Sequence, residues 1–311
     1  HAFQDFGLKI KFSAFAGAGA YQPYALSTER LNTAIKQQQF ANGFWKASEN
    51  GEMRAHITLS SIHGGGRAAH DFIHEAMHLY QDMYGLFFVP LKERETLPHM
   101  LDAKSDILAI LFCEAWAQTQ TIRFCYQMKM KGYKAGWKGA LSHPDFGYMA
   151  RSYADDLSKN IPEQEAAARC FLSWYDGKHR GFYESHALKI HELNFERLTG
   201  DILKLKTKDV QKNLRVLDVS ALPERIPENV MTDFFEKVDW RDKRLSHIQT
   251  SDVQTRIDAL NEKFGKANNN DISDIKCGAP IYIWNRLRVQ EIDNHEVPVE
   301  MFEMAQNSRV G

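Results

Sequence analysis

The sequence has few cysteines, and they are widely separated. Only four of the 311 residues are cysteine: Cys113, Cys125, Cys170 and Cys277. None of them forms the paired spacing of a thiolate metal site or of a dense disulfide framework. This scarcity excludes a small disulfide-stabilised scaffold and slightly favours a reducing compartment.

The sequence also lacks an excess of one charge and a long apolar run. Its 39 basic residues nearly balance its 40 acidic ones, so no overall field favours nucleic acid or an anionic membrane. No apolar stretch approaches the roughly 20 residues that a membrane-spanning helix needs. We therefore expect no membrane span and no nucleic-acid partner. The localisation stays open between the cytoplasm and export as an effector, and the oligomeric state stays open as well.

What the sequence does have is enough apolar material for a sizeable core, with 43% hydrophobic residues. The periodicity predicts an α+β protein that is predominantly helical, with a small sheet before the helix that carries the candidate site. We expect a catalytic domain over residues 1–200 and a helical C-terminal extension or subdomain over residues 201–311.

Local patterns place the main elements. Strands are predicted near residues 8–12 and 53–62, and a helix over 27–39. Three glycines, 64–66, then predict a flexible loop after the second strand. This order suits an active site whose neighbouring sheet edge could hold an extended peptide. Residues 100–130 contain no proline or glycine, which predicts a long helix.

More helices are predicted in the second half of the chain. Pro162 followed by Glu163 is typical of a helix start within the helical stretch 148–198. Residues 281–284 read as a strand. The basic stretch from Lys129 to Lys138 is the best local candidate for binding nucleic acid, but we favour a solvated glycine-rich loop there.

The most informative motif is His-Glu-x-x-His, formed by His74, Glu75 and His78. Residues four apart lie on one face of a helix, so His74 and His78 can direct two imidazoles at one metal ion. The surrounding apolar residues recur at helical spacing, which predicts an amphipathic helix that ends near Gly85.

A third ligand is needed, and Glu114 is the first candidate. It lies in the apolar part of the predicted helix 100–130, where a carboxylate is costly unless a cation compensates its charge. Asp102 and Asp106 are alternatives for this position. His70 is a weaker alternative, because it is rotated about 80° from His78 around a straight helix.

Two imidazoles and one carboxylate leave the fourth position of a zinc ion open, as in catalytic rather than structural sites. The zinc would activate a water, Glu75 would take the proton of that water, and peptide hydrolysis would follow without a covalent intermediate. A polar and aromatic stretch could supply a group that stabilises the oxyanion. Its members are Tyr175, His179, Tyr183, His186 and His191. From these we select Tyr183 and His186 as candidate catalytic residues.

Several segments together resemble bacterial metallopeptidase domains of otherwise unknown function, which look like gluzincins. The segments are Ala18 to Pro23, Ile57 to Leu59, His74 to Gln81, and Glu114 to Ala117. The resemblance covers about residues 7–190. It implies His74, His78 and Glu114 as zinc ligands with Glu75 as the general base.

The sequence thus predicts a zinc metallopeptidase that acts on a peptide or protein substrate. The alternative is a catalytically inactive zincin-like module that binds another protein, or a secreted effector. A third possibility, nucleic-acid binding through the stretch from Lys129 to Lys138, ranks below both.

Overall fold

The computed structural model describes residues 9–13, 20–22, 56–60, 64–84, 100–199, 206–212, 214–222 and 233–265. Most of these residues are helical, which confirms the predicted predominantly helical fold. The predicted helix 27–39 and the predicted strand 281–284 lie outside the described residues. Among the described residues, no helix combines the length and the apolar character needed to cross a membrane.

Three strands form a mixed sheet before the first described helix. They are β1 (Lys9–Ser13), β2 (Ala20–Gln22) and β3 (His56–Ser60). β3 lies in the centre, parallel to β1 and antiparallel to β2, and its Ile57 and Leu59 are buried. Because β3 is paired on both sides, the outer strands of this described sheet are β1 and β2. The binding of an extended peptide at a sheet edge beside the site stays a prediction.

Within the described stretches 64–84 and 100–199, six helices follow the sheet in chain order. They are α1 (Gly65–Tyr84), α2 (Ala103–Met130), α3 (Ala135–Ser142), α4 (Gly147–Ser158), α5 (Glu163–Trp174) and α6 (Arg180–Thr199). The described part of α1 reaches Tyr84, and its predicted end at Gly85 lies outside the described residues. α5 begins at Glu163 directly after Pro162, as predicted. α2 covers most of the predicted helix 100–130.

The chain continues beyond residue 200 with shorter elements. They are α7 (Thr207–Lys212), α8 (Lys243–Ser246) and α9 (Ser251–Phe264). A two-residue strand β4 (Met100–Leu101) pairs in parallel with β5 (Leu214–Arg215), and this pairing joins the two parts of the chain just before α2 begins.

α2 is the central helix. Its residues Ile107, Leu111, Phe112, Ala115 and Ile122 are completely buried. A helix that buries side chains on most of its faces must be surrounded by other elements, and α1, α3, α5 and α6 all pack against it. Any polar side chain that α2 places among these neighbours is therefore held between packed helices.

The start of α2 is fixed by a side-chain cap. The carboxylate of Asp102 accepts a hydrogen bond from the backbone N–H of Ser105 at 2.8 Å, so the helix begins at Ala103 rather than at residue 100. The hydroxyl of Ser105 in turn accepts a hydrogen bond from the backbone N–H of Leu217 at 2.9 Å.

Described residues on both sides of position 200 share one core. Leu217, Val219, Phe235 and Val253 belong to the same buried cluster as the residues of α2. The division into a catalytic domain over 1–200 and an extension over 201–311 stays a prediction.

Gly65 and Gly66, which were predicted to lie in a flexible loop, form the start of a helix. α1 begins at Gly65, because its first turn packs against α3 at a distance that only glycine permits. A Cβ atom on Gly66 would lie 2.7 Å from the carbonyl oxygen of Ala135, and one on Gly139 would lie 2.0 Å from that of Gly66. The glycines thus bring the backbones of α1 and α3 together.

Candidate metal centre

His74 and His78 lie one turn apart on the face of α1 that packs against α2. Their ring centroids are 4.7 Å apart, and the two rings are nearly perpendicular. The Nε2 atoms of the two rings approach to 3.1 Å, so both imidazoles direct the same nitrogen at one point. The helical spacing of the motif produces this arrangement.

Glu114 reaches the same point from α2. Its Oε2 atom lies 3.4 Å from Nε2 of His74, and its Oε1 atom lies 3.4 Å from Nε2 of His78. The three side chains are 11%, 17% and 16% exposed in the order His74, His78 and Glu114. The cluster is thus shielded by packed helices but still reachable from solvent.

The spacing of these atoms fits a metal ion. Ligand atoms bound at about 2.0–2.1 Å with tetrahedral angles stand roughly 3.3 Å apart. The two Nε2 atoms are 3.1 Å apart, and each lies 3.4 Å from a different oxygen of Glu114. Moreover, Oε2 of Glu114 is buried and makes no hydrogen bond with the residues that the structure describes. A buried carboxylate oxygen without a donor is compensated if a cation binds there.

The electrostatics of the cluster favour an ionised Glu114. Burial alone would raise the pKa of this carboxyl group, but the neighbouring His78 and His74 hold it below its ordinary value. Burial likewise opposes the charged form of His78, but Glu114 and then Glu75 raise the pKa of this imidazole. The carboxylate charge that a metal ligand requires is therefore present at Glu114.

Glu75 and Tyr183 lie beside the cluster. Glu75 is buried on α1, and its charge acts on both His78 and Tyr183. Tyr183, on α6, has a pKa well above its ordinary value because of burial, the charges of Glu114 and Glu75, and a hydrogen bond to Glu114. The phenol therefore keeps its proton at neutral pH and remains a hydrogen-bond donor.

His186 is the other residue predicted to stabilise the oxyanion. His186 lies one turn after Tyr183 on α6, and its ring stacks on that of Phe182 with centroids 5.8 Å apart. Its catalytic role stays a prediction. His191, further along α6, points its Nδ1 atom at the carboxylate of Asp106, at 2.9 Å.

The alternative ligands have other partners. Asp102 caps α2, and Asp106 pairs with His191. His70 directs Nδ1 at Asp71 and Nε2 at the side chain of Gln118, at 3.2 Å and 3.0 Å. Among the third-ligand candidates, the structure therefore brings Glu114 to the two histidines of the motif.

A second group of buried side chains lies near the first turns of α1. His70, Asp71 and His143 also bring ligand-type atoms within 4.8 Å of one another. However, Nδ1 of His143 accepts hydrogen bonds from the backbone N–H groups of Asp145 and Phe146, at 3.1 Å and 3.2 Å. A neutral imidazole with Nδ1 as acceptor carries its hydrogen on Nε2, so that atom has no lone pair for a metal.

The carboxylate of Asp71 also has a cation already. Nε of Arg67 lies 3.1 Å from Oδ1 of Asp71. Burial lowers the pKa of His143 to about 2, and the charge of Arg67 adds to this effect. We interpret this second group as a hydrogen-bond network with neutral histidines. Sequence reasoning did not identify it, because only the fold brings His143 to α1.

The structure directs two histidines of one helix and a carboxylate of a second helix at one point. This combination of ligands is typical of metal-dependent enzymes. The chain belongs to the Putative metallopeptidase family (DUF6782), whose model matches residues 25–192 and thus includes both α1 and α2. No curated protein and no solved structure matches the chain. The family agrees with the predicted metallopeptidase class.

Proposed function

We propose that this chain is a zinc-dependent metallopeptidase of the gluzincin type, with His74, His78 and Glu114 as the metal ligands. The observation that carries the proposal is that two helices bring one ligand atom from each of the three side chains within 4.8 Å of one another. Each imidazole Nε2 lies 3.4 Å from one oxygen of Glu114, and the two Nε2 atoms are 3.1 Å apart. Two imidazoles favour zinc over magnesium and calcium, which prefer oxygen ligands.

Three protein ligands fit a catalytic rather than a structural zinc site, because a structural site is closed by a fourth protein ligand. The partial exposure of the three side chains, between 11% and 17%, allows a substrate to approach. When bound, zinc supplies Lewis-acid activation of a water molecule and of the substrate carbonyl group.

Glu75 is the proposed general base. It takes one proton from the attacking water and holds it on a carboxylate oxygen while the water oxygen bonds to the carbonyl carbon. It then delivers this proton to the amide nitrogen as the carbon–nitrogen bond breaks, so the products are a carboxylic acid and an amine. The position of Glu75 supports this role, because its buried carboxylate lies close enough to the proposed ligand His78 to act on its charge.

Tyr183 is the proposed donor to the oxyanion. Negative charge grows on the carbonyl oxygen as the water adds, and a fixed O–H donor stabilises that charge more in the transition state than in the substrate. The raised pKa of the phenol keeps this donor protonated over the pH range in which a peptidase works.

The test is the Glu75→Gln variant. It should retain bound zinc, because Glu75 is not a ligand, and lose peptide cleavage by roughly 10²-fold or more. Bound zinc is measured by elemental analysis, and cleavage by mass spectrometry of a peptide library. If the zinc-loaded wild-type protein cleaves no peptide that Glu75→Gln leaves intact, the chain is an inactive binding module instead. Equal cleavage by both proteins would eliminate Glu75 as the base.

A further inference from the structure

Gln81 connects the two helices that form the proposed metal centre. It lies one turn after His78 on α1 and is 6% exposed. Its Nε2 atom donates a hydrogen bond of 2.7 Å to the backbone carbonyl oxygen of Cys113, the residue directly before Glu114. Its Oε1 atom lies 2.9 Å from Nδ1 of His78. One side chain thus touches a ligand on α1 and the backbone beside a ligand on α2.

The carbonyl group of Cys113 fixes the direction of both hydrogen bonds. A carbonyl oxygen can only accept, so the amide of Gln81 must present its NH₂ group to Cys113. The oxygen of the amide then faces His78 and can only accept, so Nδ1 of His78 must carry a hydrogen. In the neutral imidazole this leaves the lone pair on Nε2, the atom that lies 3.4 Å from Glu114 and 3.1 Å from His74.

We propose that Gln81 is a positioning residue for the metal centre. It keeps the hydrogen of His78 on Nδ1, turns the Nε2 lone pair toward the ion, and ties α1 to α2 beside Glu114. The consequence for metal affinity rests on the proposed function, whereas the position of the hydrogen on His78 does not depend on it.

The first test replaces Gln81 by methionine, which has a similar length and can form neither hydrogen bond. We expect the zinc dissociation constant to increase by roughly 10-fold to 100-fold, the usual effect of losing a partner that orients a metal-binding histidine. The affinity is measured by competition with a chromophoric chelator. Unchanged affinity in a folded Gln81→Met protein would overturn the proposal.

A matched control is available on α2. Gln118 is also a buried glutamine in contact with a histidine, His70, but here the NH₂ group faces the ring and the ring is not a proposed ligand. Gln118→Met should therefore leave the zinc dissociation constant unchanged even if it lowers the melting temperature. An equal loss of affinity in both variants would show a general packing effect and would contradict a specific role of Gln81.

A second variant separates orientation from packing. In Gln81→Glu the side-chain oxygen still accepts from Nδ1 of His78, but the other oxygen now faces the carbonyl of Cys113. If Gln81 orients His78, this variant should bind zinc more tightly than Gln81→Met. If Gln81 only fills space between the helices, repulsion between the second carboxylate oxygen and the carbonyl oxygen of Cys113 should make Gln81→Glu bind zinc more weakly than Gln81→Met. That order of affinities would refute the proposal.

A third measurement needs neither zinc nor activity. In ¹⁵N-histidine-labelled wild-type protein without metal, Nδ1 of His78 should carry a hydrogen at every pH where the protein is folded, whether the ring is neutral or charged. The signal is assigned by its loss in His78→Asn. If the wild-type protein binds no zinc, the proposed function fails but this result still decides the proposal. Detection of a neutral His78 with its hydrogen on Nε2 would overturn it.

Discussion

Gly139 of α3 lies directly against Gly66 of α1, so that a Cβ atom on Gly139 would come within 2.0 Å of the carbonyl oxygen of Gly66. Neither backbone can move away without shifting its helix. Because α1 carries His74 and His78, this contact sets the position of two proposed ligands relative to the rest of the core.

We therefore predict that Gly139→Ala lowers the free energy of unfolding by about 1–3 kcal/mol, the usual cost of forcing extra volume into packed structure. It should also weaken zinc binding, because α1 moves relative to Glu114 on α2. The measurements are urea denaturation and zinc titration. Gly64→Ala is the control, since a Cβ there meets nothing within 4 Å. Equal behaviour of the two variants would contradict the structural role of the contact.

The hydroxyl of Tyr183 gives a second prediction. Tyr183→Phe should lower kcat by roughly 10²-fold with little change in KM, because the donor acts mainly on charge that develops in the transition state. The kinetics are measured at saturating zinc, because Tyr183 is not a proposed ligand but its hydroxyl group hydrogen-bonds to the proposed ligand Glu114. Steady-state kinetics on a peptide that the wild-type protein cleaves provides the measurement.

Tyr148→Phe is the matched control for that prediction. It removes a hydroxyl group that donates a hydrogen bond of 2.9 Å to the backbone oxygen of Ser173 rather than to a proposed ligand. We expect its kcat to equal that of the wild-type protein. Wild-type kcat in Tyr183→Phe would show that another group stabilises the oxyanion.

The lowered pKa of His143 predicts how the free energy of unfolding depends on pH. Its pKa falls from 6.5 to about 2 on folding, mainly because the ring is buried. Between these two values the unfolded chain binds a proton that the folded protein does not, so stability decreases as the pH falls below about 6.5. The slope from this one group is up to about 1.4 kcal/mol per pH unit.

His143→Asn should reduce this slope without removing the hydrogen bonds. The side-chain oxygen of asparagine can accept from the backbone N–H groups of Asp145 and Phe146, as Nδ1 of His143 does, but it does not titrate in this range. Urea denaturation of both proteins between pH 7 and pH 4.5 gives the two slopes. If the slopes are the same, His143 is not the neutral buried group described above.

Much of the proposed site could be predicted from local sequence. The spacing of His74 and His78 on a helix and the unusual position of Glu114 in an apolar helix both predicted the groups that the structure brings together. Helical periodicity and the absence of helix breakers over residues 100–130 likewise predicted most of α2. These features depend on spacing within one element, which sequence records directly.

Features that depend on contact between distant segments were not predicted. The close packing of Gly66 and Gly139 turns a predicted loop into the first turn of a helix, because tertiary contact outweighs the poor helix propensity of glycine. Gln81 stands three residues after His78, and that spacing could have marked it as a partner of the ring. Its contact with Cys113, however, is visible only once α1 and α2 are packed together.

The most direct test of the central claim is the amount of zinc bound by the purified chain and by two carboxylate variants. The wild-type protein should bind one zinc ion per chain, Glu75→Gln should bind it equally well, and Glu114→Ala should bind it far more weakly. Glu114→Ala that holds zinc as tightly as the wild-type protein would contradict the claim that Glu114 completes the site of His74 and His78.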